Sequence, residues 1–231
     1  MENWREILYP LGFLSALAFG ARFIVQWLKS EIRKKSIVTP SFWKLSLAGN
    51  MMLFLHSFIQ LQFHVSIIQV INGVISWRNL DLMKAQSTHM RTRSVVFLLI
   101  GFIVATFFAF FLQNLYFPNI DTAWFRIPSN SWNSNPSSIG YVWHVFGFAG
   151  LVLFNSRFWI QWWHAEKTQI SAISRSFWWI SLLGAFCSIL YFARIQDPVN
   201  LVGPAIGIIP YIRNLMLLSN SKQSETVSEK S

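Results

Sequence analysis

Apolar residues occur in seven long runs, and short polar segments separate each run from the next. Several runs reach the roughly 20 residues that an α-helix needs to cross about 30 Å of hydrocarbon. The pattern therefore predicts an all-α, polytopic membrane protein with seven transmembrane helices. We place these helices at 7–28, 42–61, 64–80, 95–117, 139–163, 177–195 and 199–218, of which 64–80 is the least apolar.

The first three runs and the last three are copies of one sequence. The shift that places Arg22 on Arg157 aligns 22–80 with 157–215 without a gap and gives 17 identities in 59 positions. RFIVQWLKSE matches RFWIQWWHAE, and SFWKLSLAG matches SFWWISLLG. Two copies with one helix between them predict a 3+1+3 arrangement, in which parallel repeats form two triple-helix bundles. The Ser-Phe-Trp segments at 41–43 and 176–178 are expected to anchor helix starts at the membrane interface.

The repeat divides the chain into four parts. Residues 1–83 form the first triple-helix repeat, and 84–138 form a linker helix with an external loop rich in Asn, Ser and Pro. Residues 139–218 form the second repeat. The polar tail 219–231 is expected to be disordered and cytoplasmic, because it has too few apolar residues to pack.

The distribution of Lys and Arg predicts the orientation of the bundle. Most of them fall in or beside 29–44, 78–93 and 167–175, whereas the opposite side has only Arg5, Arg126 and Arg194. Because basic residues favour the cytoplasmic side, the N-terminus is expected outside and the C-terminus inside. The formal net charge of +10 could indicate nucleic acid. Since the basic residues flank apolar runs, we predict anionic lipid and no nucleic acid as the partner.

Two arginines interrupt apolar runs at equivalent positions. Arg22 and Arg157 each have a glutamine four residues later, Gln26 and Gln161, so Arg and Gln share one helical face. A charge at the centre of a membrane helix costs about 2.5–3.5 kcal/mol, and no Asp or Glu lies within a predicted span to neutralise it. A phosphate would supply the missing charge. The alternative is that both arginines extend to ordinary lipid headgroups or cap helix carbonyls.

The third helix of each copy ends in an Arg-Asn pair. These pairs are Arg78-Asn79 and Arg213-Asn214, which we predict as further ligand-binding residues. They lie on the same side of the membrane as Arg22 and Arg157, so four arginines could form one phosphate site. Anchoring at the cytoplasmic surface is the alternative. Glu31 and Glu166 are expected at the water boundary.

Polar residues at the middle of the first repeat predict an asymmetric cavity. The expected lining residues are Asn50, His56 and Asn72, together with Tyr191, the counterpart of His56 in the second repeat. The facing wall carries Pro204 and Pro210, which are expected to kink or partly open the last helix. His56 is interpreted as a hydrogen-bonded interior histidine and not as a catalytic base.

Motifs for catalysis are lacking in the sequence. It has no His, Cys or carboxylate cluster with metal spacing, no Gly-rich phosphate loop and no nucleophile elbow. The single cysteine, Cys187, lies in an apolar run. Asp197 precedes Pro198 and is interpreted as a turn in an external loop, far from the arginines. We therefore predict no catalytic residue, no metal and no cofactor, and we expect no catalysis by the chain on its own.

These motifs resemble the lipid A biosynthesis N-terminal domain family, named for a segment found ahead of lipid A disaccharide synthase in some bacteria. The pattern is RF-x-x-QW-x-x-SE, KKS, SFW-x-x-S-x-x-G, DPV and Y-x-RNL. The first copy supplies Arg22, Phe23, Gln26, Trp27, Ser30, Glu31, Lys34, Lys35, Ser36, Phe42, Trp43, Ser46, Gly49 and Arg78-Asn79-Leu80. The second supplies Arg157, Phe158, Gln161, Trp162, Glu166, Phe177, Trp178, Gly184, Asp197-Pro198-Val199 and Tyr211-Ile212-Arg213-Asn214-Leu215. The first copy departs from the pattern at Gln62-Phe63-His64, and the second lacks the double Lys.

The resemblance implies a bacterial inner-membrane protein of lipid A or lipid-linked glycan biosynthesis. The expected role is accessory or transport, with a phosphate-bearing glycolipid or polyprenyl phosphate bound near the cytoplasmic leaflet. One alternative is a membrane component of a lipid A disaccharide synthase-type glycosyltransferase, which would make that enzyme a partner. Another is a small-solute transporter, because the 3+1+3 layout is distantly similar to PQ-loop and SWEET proteins. Val25 and Ile160 stand where the proline of the PQ pair would be.

Overall fold

The regular structure of the chain is helical, as the apolar pattern predicts. A computed structural model describes residues 3–33, 38–116, 124, 126, 140–171 and 173–228. Its helices are α1 Asn3–Leu8, α2 Phe13–Arg33, α3 Pro40–Ile59, α4 Phe63–Leu82, α5 Thr92–Tyr116, α6 Tyr141–Thr168, α7 Arg175–Arg194 and α8 Pro198–Ser228. Apart from positions 124 and 126, the predicted external loop 118–138 lies outside the described residues.

Four of the described helical segments are long and apolar enough to cross a membrane. They are Arg5–Arg33, Thr92–Tyr116, Arg175–Arg194 and Pro198–Ser219. The other long helices, α3, α4 and α6, have 20, 20 and 28 residues. The membrane class is therefore supported, whereas the count of seven spans stays a prediction.

The helices form two bundles that correspond to the two sequence copies. Helices α2, α3 and α4 pack together in the first, and α6, α7 and α8 pack together in the second. The bundles meet where α2 contacts α8 and where α4 contacts α6, while α5 packs on α4. This pairing places the first helix of each copy against the third helix of the other.

The Phe and Trp side chains of the Ser-Phe-Trp segments lie in the interior of the protein, so the prediction that they anchor a membrane interface is wrong. Phe42 and Trp43 of α3 and Phe177 and Trp178 of α7 are at most 1% exposed and belong to one aromatic cluster. The rings of Trp43 and Phe158 meet edge to face at a centroid distance of 6.3 Å. Burial of large aromatic side chains stabilises the contact between the two bundles.

The turn between the second and third helix of each bundle has the same backbone geometry. Leu61 and Gln196, which the repeat aligns with each other, both have positive φ, at 60° and 55°. The next residue donates its backbone N–H in the same way in each copy, from Gln62 to the carbonyl of Ser57 at 2.8 Å and from Asp197 to that of Phe192 at 2.9 Å. The internal duplication therefore extends from sequence to local structure.

The last helix differs from its sequence-based prediction in two respects. Helix α8 continues through Pro204 and Pro210, so the helix is not opened there, while the predicted kink stays a prediction. It also runs to Ser228, beyond the predicted end of the span at Leu218, since no glycine or proline follows to end it. The four domain boundaries stay predictions.

Candidate functional site

Arg22 and Arg157 line one cavity between the two bundles. Arg22 on α2 is 4% exposed and Arg157 on α6 is 2% exposed, so neither guanidinium reaches the protein surface. The cavity has a volume of about 70 Å³ and is also lined by polar residues, among them Asn50, Asn72 and Asn155. This volume holds a few water molecules or one small anionic group, but no sugar ring together with its substituents.

Each arginine sits in an aromatic cage that the repeat has duplicated. The guanidinium carbon of Arg22 lies 4.7, 4.6 and 5.4 Å from the ring centres of Phe19, Phe23 and Phe42. The guanidinium carbon of Arg157 lies 3.5, 4.7 and 5.7 Å from the ring centres of their counterparts, which are Phe154, Phe158 and Phe177. The Phe158 ring also lies 5.3 Å from the Arg22 guanidinium carbon, so both cations face one ring. These contacts offset part of the cost of burying charge.

The aromatic cage leaves hydrogen-bond donors of both arginines without an acceptor. Arg22 donates from Nη1 to Ser46 Oγ at 3.0 Å, but its buried Nε has no partner. Nε and Nη1 of Arg157 are also buried and without a partner. Among the described residues no carboxylate pairs with either arginine. Since a buried unpaired donor costs about 1–3 kcal/mol, the cavity is complementary to a small anion with several acceptor atoms.

The two glutamines do not accompany the arginines in the cavity. Gln26 Nε2 donates to Asn214 Oδ1 at 3.0 Å, and Asn214 Nδ2 donates back to Gln26 Oε1 at 3.3 Å. In the other half, Gln161 Nε2 donates to Asn79 Oδ1 at 2.7 Å, and Asn79 Nδ2 returns a bond of 3.1 Å. Each pair joins the first helix of one copy to the third helix of the other, so these four amides hold the bundles together.

Arg78 of α4 and Arg213 of α8 form ion pairs across the same interface. Arg78 donates to both carboxylate oxygens of Glu166, from Nε at 2.6 Å and from Nη2 at 2.9 Å. Arg213 makes the equivalent fork to Glu31, with Nη2 at 2.7 Å from Oε1 and Nε at 3.0 Å from Oε2. Asp81 accepts a further bond of 2.7 Å from Arg78. The structure thus separates Arg78 and Arg213 from Arg22 and Arg157 and does not place four arginines in one site.

Hydrogen bonds hold the carboxyl groups around Arg78 in their charged form. Burial alone would raise the pKa of Glu166, but hydrogen bonds from Arg78, Thr92 and Trp162 and the charge of Arg78 lower it on balance. Asp81 behaves in the same way. Burial opposes the shift, while the Met90 backbone N–H and the Arg78 side chain bring its pKa below the ordinary range.

We expect Glu166→Gln to destabilise the protein at pH 7 more than the equivalent substitution Glu31→Gln. The Arg78–Glu166 pair is 2% and 9% exposed, whereas the Arg213–Glu31 pair is 35% and 31% exposed. Loss of a partner costs more where the remaining charge is buried. Folding lowers the pKa of Glu166. The ionised carboxylate therefore contributes fully to the free energy of unfolding above its unfolded-state pKa, and this contribution is lost as the pH falls through its folded-state pKa.

Thermal unfolding in detergent, recorded between pH 7 and pH 3, tests this expectation. The difference in Tm between Glu166→Gln and the parent should narrow once the pH falls below about 4, near the ordinary pKa of a glutamate. Equal Tm losses for Glu166→Gln and Glu31→Gln at pH 7 would contradict a special role for the buried pair.

The cavity differs in part from the predicted lining. Asn50 and Asn72 line it as expected, and Asn72 Nδ2 donates to Asn155 Oδ1 at 2.6 Å. Asn155 and Asn200 also line it, although neither was singled out by the sequence. A signal for Asn155 was available, because it lies just before Arg157 in the chain and interrupts the same apolar run.

His56 and Tyr191 lie outside the cavity. His56 contacts the short 3-10 helix Tyr9–Gly12 that precedes α2, and Tyr191 contacts the first turn of α6. The ring of His56 meets that of Tyr9 edge to face at 5.2 Å. Both of its ring nitrogens are buried without a hydrogen-bond partner, so the prediction of a hydrogen-bonded histidine is wrong. Tyr191 lies against His144, with its hydroxyl 3.1 Å from His144 Nδ1. The repeat aligns Tyr9 with His144 and His56 with Tyr191, so the two copies carry the same Tyr-His contact with the residues exchanged.

Asp197 lies in the turn between α7 and α8, as predicted, but its carboxylate is a buried hydrogen-bond acceptor and not part of an open external loop. It is 1% exposed, and its carboxylate accepts from Tyr9 Oη at 2.7 Å, Gln62 Nε2 at 2.9 Å and Asn200 Nδ2 at 2.8 Å. Gln62 is its counterpart in the first copy, so this contact also joins equivalent positions of the two repeats. The correction follows from the packing of both helix turns against each other.

The guanidinium and amide groups that line the cavity are chemically suited to hydrogen-bond an anion. The described residues contain no group of three or more His, Cys, Asp or Glu side chains that could hold a metal ion. The polar groups facing the cavity are two guanidinium groups and several side-chain amides. These groups bind and orient, whereas amides and guanidinium groups at neutral pH do not act as general bases.

The fold and the cavity define an all-helical, internally duplicated membrane-type protein with a buried pair of arginines between its repeats. The chain belongs to the family described as Lipid A Biosynthesis N-terminal domain, which it matches twice, at residues 11–81 and 146–216. The two matches are offset by the same shift that places Arg22 on Arg157, which confirms the family resemblance and the duplication.

Known proteins similar to this chain include several named lipid-A-disaccharide synthase. The chain is 38% identical over 213 residues to the protein of that name from Chlamydia felis, covering 92% of the chain and 33% of the relative. It is 36% identical over 219 residues to the one from Chlamydia pneumoniae, covering 94% and 34%. The chain thus spans about a third of the length of these relatives. No solved structure matches the chain.

Proposed function

We propose that the chain is a bacterial inner-membrane protein of lipid A or lipid-linked glycan biosynthesis that binds the phosphate of a lipid-borne substrate. The observation that carries the proposal is the pair of buried arginines with unpaired donors in one cavity. The family and its similarity to lipid-A-disaccharide synthases support the biosynthetic context. The phosphate-bearing glycolipid or polyprenyl phosphate is the ligand class, and the role is accessory or transport.

The arrangement in the membrane follows the distribution of charge. Seven spans in a 3+1+3 layout, with a periplasmic N-terminus and a cytoplasmic C-terminus, place both Arg-Asn helix ends and both Glu31 and Glu166 towards the cytoplasm. The interface pairs Arg78–Glu166 and Arg213–Glu31 then close the cytoplasmic end of the space between the bundles. The cavity with Arg22 and Arg157 lies deeper in the bundle.

Binding of a simple alkyl phosphate tests the proposal. We expect hexadecyl phosphate to bind the detergent-solubilised chain with one molecule per chain, measured by native mass spectrometry, and hexadecanol to bind at least tenfold more weakly, because it lacks the charge. Arg22→Gln should remove most of the difference between the two probes. Arg22→Lys should restore part of it, since a point charge replaces a planar fork.

The control is Arg33→Gln, which removes the same charge from an exposed position on the same helix. This variant should keep the preference for hexadecyl phosphate over hexadecanol. If the parent binds both probes equally, or if Arg22→Gln and Arg157→Gln retain the preference, the arginines do not bind phosphate and the proposal is wrong.

A second candidate is a membrane component of a lipid-A-disaccharide synthase-type glycosyltransferase. The alignment of nearly the whole chain with a third of each relative favours it. In that case a glycosyltransferase should co-purify with the chain and lose activity when the chain is removed. An accessory or transport protein should bind lipid phosphate without a change in glycosyl transfer by any co-purifying enzyme.

A further inference from the structure

A second cavity opens on the outer side of the first bundle. It is a groove of about 770 Å³ between α3, α4 and α5, and its lining is mostly apolar. Helix α5 contributes Leu98, Phe102 and Ala109, and α4 contributes Val74 and Trp77. The groove is an order of magnitude larger than the arginine cavity and has the size of a ligand site.

The groove has defined ends because α5 contacts the bundle closely at two points. Val95 and Phe110 of α5 are both 0% exposed. The Phe110 ring lies 5.1 Å from that of Phe58 and 5.2 Å from that of Phe63. Between these contacts the stretch 98–109 faces the groove, which corresponds to roughly 16 Å along the helix axis. An extended hydrocarbon chain fits such a space better than a compact solute does.

The groove and the arginine cavity share part of one wall. Asn50 of α3 and Gln69 of α4 line both spaces. Asn50 is held by a bond of 3.2 Å from its Nδ2 to Ser76 Oγ. Gly73 of α4 lies beside this wall and lines the groove, and a Cβ atom added there would meet only Asn50 Cβ, at 3.9 Å. Asn50 and Gln69 therefore form part of the wall that separates the two spaces.

We propose that the phosphate-bearing lipid enters the arginine cavity from the side, between Asn50 and Gln69, and that its hydrocarbon chain lies in the groove under α5. This inference rests on the proposed function, because it takes the phosphate at Arg22 and Arg157 as given. Asn50 and Gln69 form a side portal between the two spaces. The amides of the portal suit the polar region of a lipid that joins the phosphate to the chain.

Contacts elsewhere favour lateral entry through this portal. Ion pairs and amide pairs occupy the end of the interface that carries Arg78 and Arg213, and the Asp197 network occupies the other end. The second repeat lacks an equivalent portal, because the counterparts of Asn50, Gln69 and Gly73 are Ala185, Pro204 and Ile208. Lipid tails are as apolar as the groove, so the groove adds little affinity of its own. It holds the chain of the bound lipid, and filling it weakens binding because a phosphate held at Arg22 and Arg157 then leaves no space for a long chain.

A substitution at Gly73 tests the groove independently of the phosphate site. Gly73 lines the groove, and a Cβ atom added there makes only an ordinary contact with Asn50 Cβ at 3.9 Å, so Gly73→Leu is expected to place its side chain in the groove. We expect this variant to weaken binding of hexadecyl phosphate roughly tenfold or more, because the long chain no longer has a path, and to leave binding of butyl phosphate unchanged. Gly101→Leu is the matched control, since an added Cβ on that exposed face of α5 meets nothing within 4 Å. It should change neither affinity.

Photocrosslinking on the unmodified chain gives a second readout that does not depend on a variant. Hexadecyl phosphate with a diazirine at the chain end should label residues 70–77 and 98–109, mapped by mass spectrometry. Labelling confined to lipid-facing surfaces of α6 or α7, or equal loss of both alkyl phosphates in Gly73→Leu, would overturn the portal. If the parent showed no Arg22-dependent preference for phosphate, the proposed function itself would fail. If the parent prefers phosphate but the chain-end label is found outside residues 70–77 and 98–109, the proposed portal is wrong and the proposed function still stands.

Discussion

Replacement of Arg157 by methionine is expected to raise the Tm of the ligand-free protein and to weaken binding of hexadecyl phosphate roughly tenfold to a hundredfold. Two donors of Arg157 are buried without an acceptor, and the side chain is 2% exposed. Methionine fills similar apolar space among Phe154, Phe158 and Phe177 without a charge. Exchange of a buried charge for an apolar side chain often stabilises a protein by about 1–4 kcal/mol.

The opposite signs of the two effects distinguish a binding residue from a structural one. An arginine that holds the fold through its ring contacts would lower the Tm when replaced, because cation–π contacts contribute up to about 2 kcal/mol each. A buried arginine that serves to bind a ligand lowers the stability of the ligand-free protein, and only the bound phosphate offsets that loss. Differential scanning fluorimetry with and without hexadecyl phosphate measures both effects in one experiment.

The matched control is Arg175→Met, which changes the same residue type at an exposed position at the start of α7. It should leave both the Tm and the affinity near those of the parent. A fall in Tm for Arg157→Met in the ligand-free protein, together with unchanged binding, would identify the Arg157 cage as structural and contradict the phosphate site.

The duplication made much of the architecture predictable. The gapless alignment of 22–80 with 157–215 defines the two bundles, and helical periodicity places Arg22 and Arg157 on the buried faces of equivalent helices. The all-helical class follows from the apolar runs alone. These features depend on local sequence pattern, which is why they could be predicted without knowledge of how the bundles meet.

The contacts between the bundles were not predictable from helix pattern alone. From the sequence alone, Arg78 and Arg213 could each contact many different side chains. They pair with Glu166 and Glu31 because the first helix of each copy packs on the third helix of the other copy. A partial signal existed. Both the Arg and the Glu are duplicated at the same shift, and a two-fold relation between parallel repeats pairs each Arg with the Glu of the other copy. Sequence patterns alone do not distinguish this pairing from a shared ligand site.

Asp197→Asn is expected to destabilise the protein by about 2–4 kcal/mol, because it removes an acceptor that three buried side-chain donors share. Asparagine keeps the size of the residue but places an NH₂ group against the donors of Gln62 and Asn200. Chemical denaturation in detergent measures the change. Substitution of a solvent-exposed residue would change the stability by only about 0.5 kcal/mol, so the measurement distinguishes a buried acceptor from an exposed side chain.

A double-mutant cycle with Tyr9→Phe assigns the effect to the network. Tyr9 Oη donates to Asp197 Oδ1 at 2.7 Å and is buried, so each single substitution breaks the same bond. The double variant should therefore lose less stability than the two single variants added together. Additive losses would mean that Tyr9 and Asp197 act independently. Coupling would show that the buried hydrogen bond between Tyr9 and Asp197, which joins the segment before α2 to the second repeat, contributes to stability.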